Sequence, residues 1–232
     1  MKITSYIAIV TLISIADDLS AQDFKQTMEK LRDKYQSAEN LRIKMSVEVF
    51  ETQGKQRSFY HEKITITKHG TSYHHHVAGT DMVMNDKYLV LVDRPTKKII
   101  VNKRDVKAEA KFYKKAPFNM DSILQAYDGG KFDGAMKGMN KFSATQKIGP
   151  IAKIELFMDQ VSGDLKQVNY SYRAGQWATI IFEELDLSPT FDVNEFNEQQ
   201  FIHKSGKTWQ PSTAFAGYEV VRADDAKAFV NN

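Results

Sequence analysis

The chain contains no cysteine. Disulfides, thiolate nucleophiles and cysteine-ligated metal sites are therefore excluded. Only 6 histidines occur in 232 residues, and the HExxH and GxSxG patterns of metalloproteases and serine hydrolases are missing. Lys and Arg number 32 against 29 Asp and Glu. This small surplus forms no dense basic run, which argues against a nucleic-acid partner. Stability must come from a hydrophobic core, which a chain of this length can supply.

The N-terminal segment is apolar. After Lys2, the chain is almost uncharged from Ile3 to Ala16. This run is short for a membrane span and is typical of the core of a signal peptide. We predict that residues 1–21 are a signal peptide cleaved after Ala21, that residues 22–232 form a single domain, and that the protein is exported. Because the cleavage site has no cysteine, we expect no lipid anchor.

Two periodic segments follow. Apolar residues at helical spacing predict an amphipathic helix within residues 23–40, and the stripe consists of Phe24, Met28, Leu31, Tyr35 and Ala38. The stretch LRIKMSVEVF then alternates strictly between apolar and polar residues, which predicts a strand with one apolar face and one face toward water. Its apolar positions are Leu41, Ile43, Met45, Val47 and Val49.

Short strand-like runs separated by tight turns continue along the chain and predict an antiparallel meander. The middle of the chain breaks this pattern. A helix capped by Asn119 or Asp121 and ended by Gly129-Gly130 is expected there, and the glycines and methionines of residues 134–139 favour a soft, mobile segment. We predict a mainly β (α+β) fold of about eleven antiparallel strands, with an N-terminal helix and a helical insertion halfway along the chain.

The histidine run of residues 74–76 lies within a predicted strand. His74 and His76 then share one face and His75 occupies the other. A turn at His69-Gly70 would place residues 64–66 opposite the run. A metal site needs a third or fourth ligand, which the pattern does not supply, so we predict neither a metal nor another cofactor. We expect the acidic residues Asp192, Glu195 and Glu198 to form a solvated turn.

One helix cannot cover a sheet of this size, so the sheet must curl. Its concave face is then either filled by side chains and the insertion, or left as an apolar cavity. Periodicity alone favours neither alternative.

The order of these segments resembles that of the LolA-like family of periplasmic outer-membrane lipoprotein carriers. The most specific segment is MNDKYLVLVDRPTKKIIVNKR, with a turn, an aromatic strand, a proline-type turn and a β-branched strand. Similar segments are YQSAENLRIKMSVEV, ITITKHGTSYHHHV, IELFMDQVSGDLKQVNYSY and FDVNEFNEQQFI. The stretch APFNMDSILQAY resembles the family's lid helix. The family often carries an Arg-Pro after the second strand, where this chain has His69-Gly70, so His69 is a candidate substitute for the arginine that bonds the lid.

The resemblance implies an incomplete antiparallel β-barrel of about eleven strands, with an N-terminal helix and a helical lid insertion over a hydrophobic cavity. It further implies a monomeric, non-enzymatic carrier in the periplasm that shelters the acyl chains of lipoproteins and passes them from an inner-membrane release machinery to an outer-membrane acceptor. The alternative is an envelope sensor, or a module that binds a hydrophobic ligand or a protein, with the same fold and without transport. We expect no catalytic residues. The predicted lipid-binding residues of the cavity and lid are Ile43, Met45, Val47, Val49, Ile64, Ile66, Phe118, Ile123 and Leu124.

Overall fold

A computed structural model describes residues 24–35, 37–105 and 128–222. The predicted signal peptide and the predicted lid, including Phe118, Ile123 and Leu124, lie outside these residues. Within the described ranges, no helix is long and apolar enough to cross a membrane.

The described chain is mainly β, as predicted, with one α-helix, α1, at residues 24–35. The strands are β1 (Asn40–Phe50), β2 (Tyr60–His69), β3 (Ser72–Val77), β4 (Thr80–Met84), β5 (Tyr88–Asp93), β6 (Lys98–Lys103), β7 (Asp128–Met136), β8 (Met139–Thr145), β9 (Ile151–Asp159), β10 (Leu165–Tyr172), β11 (Trp177–Asp186), β12 (Ile202–Ser205), β13 (Thr208–Pro211) and β14 (Glu219–Arg222).

Twelve of these strands form one sheet in the order β14-β6-β5-β4-β3-β2-β1-β11-β10-β9-β8-β7. The sheet is mostly antiparallel and is not closed, because the order ends at β14 and β7. Strand β14 is parallel to β6, and β12 and β13 form a separate hairpin. The barrel curvature and the helical lid stay predictions.

The contacts group the chain into two compact units. Among the described residues, the first unit contains 24–35, 37, 47–61 and 128–182, and the second contains 38–46, 62–105 and 183–222. The organisation of residues 22–232 as a single domain stays a prediction.

In the first unit, α1 packs its predicted stripe on the sheet. Phe24, Met28 and Leu31 are buried, and Tyr35 is partly buried against the same cluster. The strand side of this core consists of Phe142, Ala144, Ile154, Leu156, Met158, Leu165 and Val168. The helical stripe is therefore confirmed for Phe24, Met28, Leu31 and Tyr35. Its last predicted member, Ala38, is not helical, because residues 37–39 are irregular and β1 begins at Asn40.

A glycine lets α1 approach the edge of this sheet. A Cβ added to Gly130 on β7 would lie 2.0 Å from Cδ1 of Phe24, a distance that two non-bonded carbon atoms cannot adopt. The aromatic ring thus occupies the space that any other side chain would need at position 130. Gly130 is part of the core packing, although the sequence suggested that it ends a helix.

The prediction of a mobile segment at residues 134–139 is wrong. Residues 128–145 form the β7–β8 hairpin, in which Phe132 pairs with Phe142 and Met136 with Met139. Lys137 and Gly138 turn the chain with positive φ angles of 52° and 77°, the backbone signature of a type I′ hairpin turn. Glycine carries no side chain that could show alternation, so the strand left little trace in the sequence.

In the second unit, β2 to β6 form the predicted meander, with strands joined by tight turns. The β2–β3 turn lies at Gly70 and Thr71, one residue later than predicted. Residues 65–67 rather than 64–66 therefore lie opposite the histidine run. The C-terminal part supplies three strands, β12, β13 and β14.

Candidate functional site

A row of five side chains crosses the meander of the second unit on one face. The strand registers pair Ile66 with His75, His75 with Met82, Met82 with Leu91, and Leu91 with Ile100. All five side chains are half-buried. Neighbouring strands are about 4.8 Å apart, so the row is about 19 Å long. We call this face, with the adjacent and also half-buried Ile64, the half-buried face.

Two predicted site residues on β1, Ile43 and Met45, also point toward the half-buried face. Arg42 donates to the carbonyl oxygen of Thr190 over 2.8 Å, and Oδ1 of Asn40 lies 2.6 Å from Nδ1 of His69. The side chains of Asn40 and Arg42 point away from the half-buried face. Asn40 contacts His69, and His69 lies on the opposite face of β2 from Ile66 and Lys68. Alternation on β1 then turns three residues toward the half-buried face, namely Leu41, Ile43 and Met45.

The structure thus places Ile43, Met45, Ile64 and Ile66 on one face of the second unit. Val47 and Val49 are half-buried residues of β1 that belong to the first unit. Sequence reasoning did not single out Met82, Leu91 and Ile100. The runs KYLVLV and KIIVN carry a signal for the last two, because they are apolar at nearly every position, which is typical of a strand with both faces removed from water. Whether any of these residues binds lipid stays a prediction.

The opposite face of the same strands is fully packed. Val83, Val90, Val92 and Ile99 have 0% exposure and form one cluster with side chains from the C-terminal part of the chain. The residues that cover them are Phe201, Ile202 and Phe215. We call this the packed face. It continues through polar residues, because Thr67 and Asp81 are also buried there.

Strict alternation on β1 predicted one face toward water, but on the neighbouring strands β2 and β4 to β6 the corresponding face is covered. Thr67, an alternate position of β2, is 1% exposed. Its hydroxyl donates to Oε1 of Glu195 over 3.2 Å. The segment that contains Glu195 lies more than a hundred residues later in the chain, so alternation within β2 could not show that this face is covered.

A polar cluster on the packed face joins the strands to the C-terminal segment. Asp81 accepts hydrogen bonds from Nδ1 of His76 at 2.7 Å and from Nε of Arg94 at 3.0 Å. The guanidinium of Arg94 also lies over the ring of Phe215, with Cζ 5.2 Å from the ring centroid. Burial alone would raise the pKa of Asp81, but its hydrogen bonds to His74, His76 and Arg94 hold the pKa well below its ordinary value. Asp81 is therefore an anion at neutral pH.

His74 lies between two carboxylates of this cluster. Its Nδ1 is 3.2 Å from Oε1 of Glu195, and its Nε2 is 3.5 Å from Oδ1 of Asp81. Burial lowers the pKa of His74, but the hydrogen bonds and charges of Asp81 and Glu195 outweigh burial and raise the pKa above its ordinary value. The expected solvated turn is corrected accordingly, because Glu195 binds Thr67 and His74, while Glu198 accepts a hydrogen bond from Asn85 at 2.6 Å.

His75 has the opposite environment. It lies on the half-buried face, and burial together with the charge of His74 lowers its pKa. Among the described residues, Nε2 of His75 has no hydrogen-bond partner. The predicted division of the histidine run between two faces is confirmed: His74 and His76 contact carboxylates, and the neutral His75 lies among apolar side chains.

His69 contacts Asn40 and two aromatic rings. Its ring centroid is 5.8 Å from that of Phe191 and 6.1 Å from that of Phe196. These contacts anchor the C-terminal segment. A role of His69 in bonding the lid concerns residues outside the described ranges and stays a prediction. Across the described residues, no group of three or more His, Asp or Glu is arranged to hold a metal ion.

No family model matches the chain, and a search of curated proteins finds no match. Among solved structures, a LolA superfamily protein from Nitrosomonas europaea is similar at 8% identity and a TM-score of 0.32, covering 75% of this chain and 97% of that one. The lipoprotein LppX from Mycobacterium tuberculosis is similar at 8% identity and a TM-score of 0.42, covering 74% and 99%.

A chain of the MucA/MucB complex of Pseudomonas aeruginosa is similar at 14% identity and a TM-score of 0.47, and the match covers 82% of this chain and 64% of that chain. Because the three TM-scores lie below 0.5, no functional property is transferred from these proteins to this chain.

Proposed function

We propose that the half-buried face binds an apolar ligand, and that the protein is a periplasmic carrier that shelters lipoprotein acyl chains for transfer to the outer membrane. The observation that carries this proposal is the row Ile66, His75, Met82, Leu91 and Ile100, which stays half-buried while alternate residues of β2, β4, β5 and β6 are buried. A continuous apolar face of this kind suits a hydrocarbon chain.

The energetics favour a ligand that can be released. Burial of one methylene group contributes about 0.8 kcal/mol, so about ten methylenes contribute roughly 8 kcal/mol. That corresponds to a dissociation constant of about 1 μM before the cost of association is subtracted. A face that buries only part of an acyl chain therefore holds it reversibly, as a carrier requires.

His75 adds one polar contact to the proposed site. Its Nε2 is buried and has no hydrogen-bond partner among the described residues, so a ligand reaches this atom only by entering between the side chains that cover it. The lowered pKa of His75 keeps the ring neutral. A neutral imidazole can donate one hydrogen bond, and the ester or amide carbonyl of an acylated ligand can accept it. The proposed ligand thus has hydrocarbon over the aliphatic residues and a carbonyl oxygen at His75.

The partners of a carrier belong to the same proposal. An inner-membrane machinery would load the lipoprotein, and an outer-membrane acceptor would receive it, with no covalent chemistry at the site. The second candidate is an envelope sensor, which the titratable cluster of His74, Asp81 and Glu195 supports because it joins the sheet to the C-terminal segment.

Binding of an apolar dye tests the proposal. The purified protein is titrated with an environment-sensitive apolar dye, and bound dye is then competed with a triacylated lipopeptide. We expect saturable binding and displacement by the lipopeptide. A folded protein that binds no dye contradicts the apolar site, whereas dye binding that the lipopeptide cannot reverse favours the sensor.

A matched pair of variants locates the binding face. Leu91→Gln places an amide on the half-buried face and should weaken dye binding about tenfold. Val193→Gln is the control, because Val193 is 92% exposed on the surface of the same unit. The melting temperature of each variant is measured alongside, and the milder Leu91→Ala replaces Leu91→Gln if the latter unfolds. Unchanged binding in a folded Leu91 variant rules out this face.

A further inference from the structure

A cavity separate from the half-buried face lies on the packed face of the second unit, at the end of β6. Tyr88 pairs with Lys103 across β5 and β6, and Val101 pairs with Arg222 across β6 and β14. Lys103 shares the face of Val101, two positions earlier on the same strand. The registers therefore bring an aromatic ring, an ammonium and a guanidinium to one face, although they are far apart in the sequence.

The β12–β13 hairpin supplies the remaining wall. Lys204 lies opposite Trp209 in the hairpin register, and its Nζ is 5.1 Å from the ring centroid of Trp209 and 6.0 Å from that of Tyr88. Tyr88 and Trp209 meet edge to face, with centroids 5.0 Å apart. The tight turn of the hairpin places Lys207 at the rim.

These elements enclose a cavity of about 320 Å³. Val101 forms an apolar base, since it is 3% exposed, and the two aromatic rings form one side. Four of the lining residues are cations, Lys103, Lys204, Lys207 and Arg222, and none is acidic. A volume of this size exceeds that of a bare phosphate and can hold an organic phosphate ester.

The described acidic residues near the cavity have other partners. Glu198 lines the adjoining concavity and accepts a hydrogen bond from Asn85 at 2.6 Å. Oε2 of Glu219 lies 3.9 Å from Nζ of Lys98. Within the described ranges, Lys103, Lys207 and Arg222 form no ion pair. Asp224 and Asp225 follow in the sequence outside those ranges, so binding must be tested on the full chain.

We propose that this cavity binds an anionic phosphate group, of the kind carried by a soluble phosphate ester or by a phospholipid headgroup. Lys103, Lys207 and Arg222 surround the opening with three full positive charges, and guanidinium and ammonium groups are the standard protein donors to phosphate oxygens. The aromatic rings and Val101 contact the organic part of the ligand. The site is independent of the half-buried face, so either proposal can fail without the other.

Trp209 provides a direct reporter of binding. Trp177→Phe leaves Trp209 as the only tryptophan, because the chain has 2. The variant is titrated at low salt with inorganic phosphate, glycerol 3-phosphate, vesicles of phosphatidylcholine, and vesicles of phosphatidylcholine with phosphatidylglycerol. We expect a saturable change in emission with glycerol 3-phosphate or with the anionic vesicles, and a loss of affinity as salt is added. Equilibrium dialysis with radiolabelled glycerol 3-phosphate, and co-sedimentation with the vesicles, verify binding independently of fluorescence.

Two triple variants separate a site from general charge. Lys103→Gln with Lys207→Gln and Arg222→Gln should weaken binding at least tenfold. The control removes the same number and kinds of charge at exposed positions elsewhere, Lys55→Gln with Arg57→Gln and Lys166→Gln, and should change affinity less than twofold. Melting temperatures establish that both variants are folded.

The outcomes distinguish the two sources of phosphate. Saturation by glycerol 3-phosphate supports a soluble ester as the ligand, and saturation by the anionic vesicles alone supports a lipid headgroup. No binding in fluorescence, dialysis and co-sedimentation, or an equal loss in both triple variants, overturns the proposal.

Discussion

Ile99 and Ile100 are neighbours on β6, yet their side chains lie on opposite faces of the sheet. Ile99 is 0% exposed under the C-terminal segment, and Ile100 is half-buried on the other face. The same difference separates Val90 and Val92 from Leu91 on β5. On β5 and β6 the two faces are therefore both aliphatic and differ in coverage, since the chain's own C-terminal residues cover one face and leave the other partly accessible.

The largest expected effect comes from uncovering the packed face. Phe201 and Phe215 lie with their ring centroids 5.3 Å apart in the covering segment. Truncation of one such buried ring to Ala costs about 3–5 kcal/mol. We expect Phe201→Ala to lower the free energy of unfolding by this amount, measured by urea denaturation.

Removal of both rings tests the comparison itself. In a variant with Phe201→Ala and Phe215→Ala, the packed face should become accessible and bind additional apolar dye if the sheet remains folded. Full folding with no gain in dye sites would contradict the view that coverage alone distinguishes the two faces.

The two isoleucines of β6 form the second test. Ile99→Ala should cost about 2–5 kcal/mol of unfolding free energy, because it leaves a cavity in a sealed core. Ile100→Ala should cost roughly 1 kcal/mol, since its side chain is only partly removed from water. Dye affinity should change in the reverse order, with a clear loss only in Ile100→Ala. Equal stability losses in the two variants would remove the distinction.

The smallest effect concerns pH and the link between His74 and Glu195. A raised pKa in the folded state means that the stabilisation from His74 is fully present below its ordinary value of 6.5. It is lost as the pH rises through the raised value. His75 has a lowered pKa, so it reduces stability only below about pH 6.5 and does not disturb this range.

Glu195→Gln should therefore flatten the loss of stability between about pH 6.5 and pH 8.5. One charged hydrogen bond contributes about 1–2 kcal/mol, and the variant should lose most of that at the acidic end and little at the alkaline end. Urea unfolding at both pH values measures the difference. Asp81, His76 and Arg94 are the other charged or titratable neighbours in the cluster, and they are unchanged in this comparison. Parallel pH profiles in the two proteins would exclude the link.

Local patterns in the sequence were sufficient to predict α1, the meander and the separation of His74 from His75. The coverage of the packed face was not predictable from them, because His74 and Glu195 are 121 positions apart. The β7–β8 hairpin was missed for a different reason. Its glycines show no alternation, and the need for Gly130 arises only from the ring of Phe24.

The candidate site was predicted in part. Ile43, Met45, Ile64 and Ile66 were selected by alternation and lie on one face. Met82 was not selected, because β4 is short and the face on which Met82 lies becomes clear only from its pairing with His75 and Leu91. The polar cluster depends on tertiary contacts of Asp81, Arg94 and Glu195, and no spacing in the sequence reveals it.

The parallel pairing of β14 with β6 also has a consequence for the order of folding. Arg222, the register partner of Val101, is made more than a hundred residues later. Until then the backbone groups at the edge of β6 have no neighbouring strand, and an unpaired edge can recruit a strand from another molecule. Contacts between distant residues also form slowly. The newly made chain thus passes through an interval in which its meander can self-associate, and completion of the C-terminal strand ends that interval.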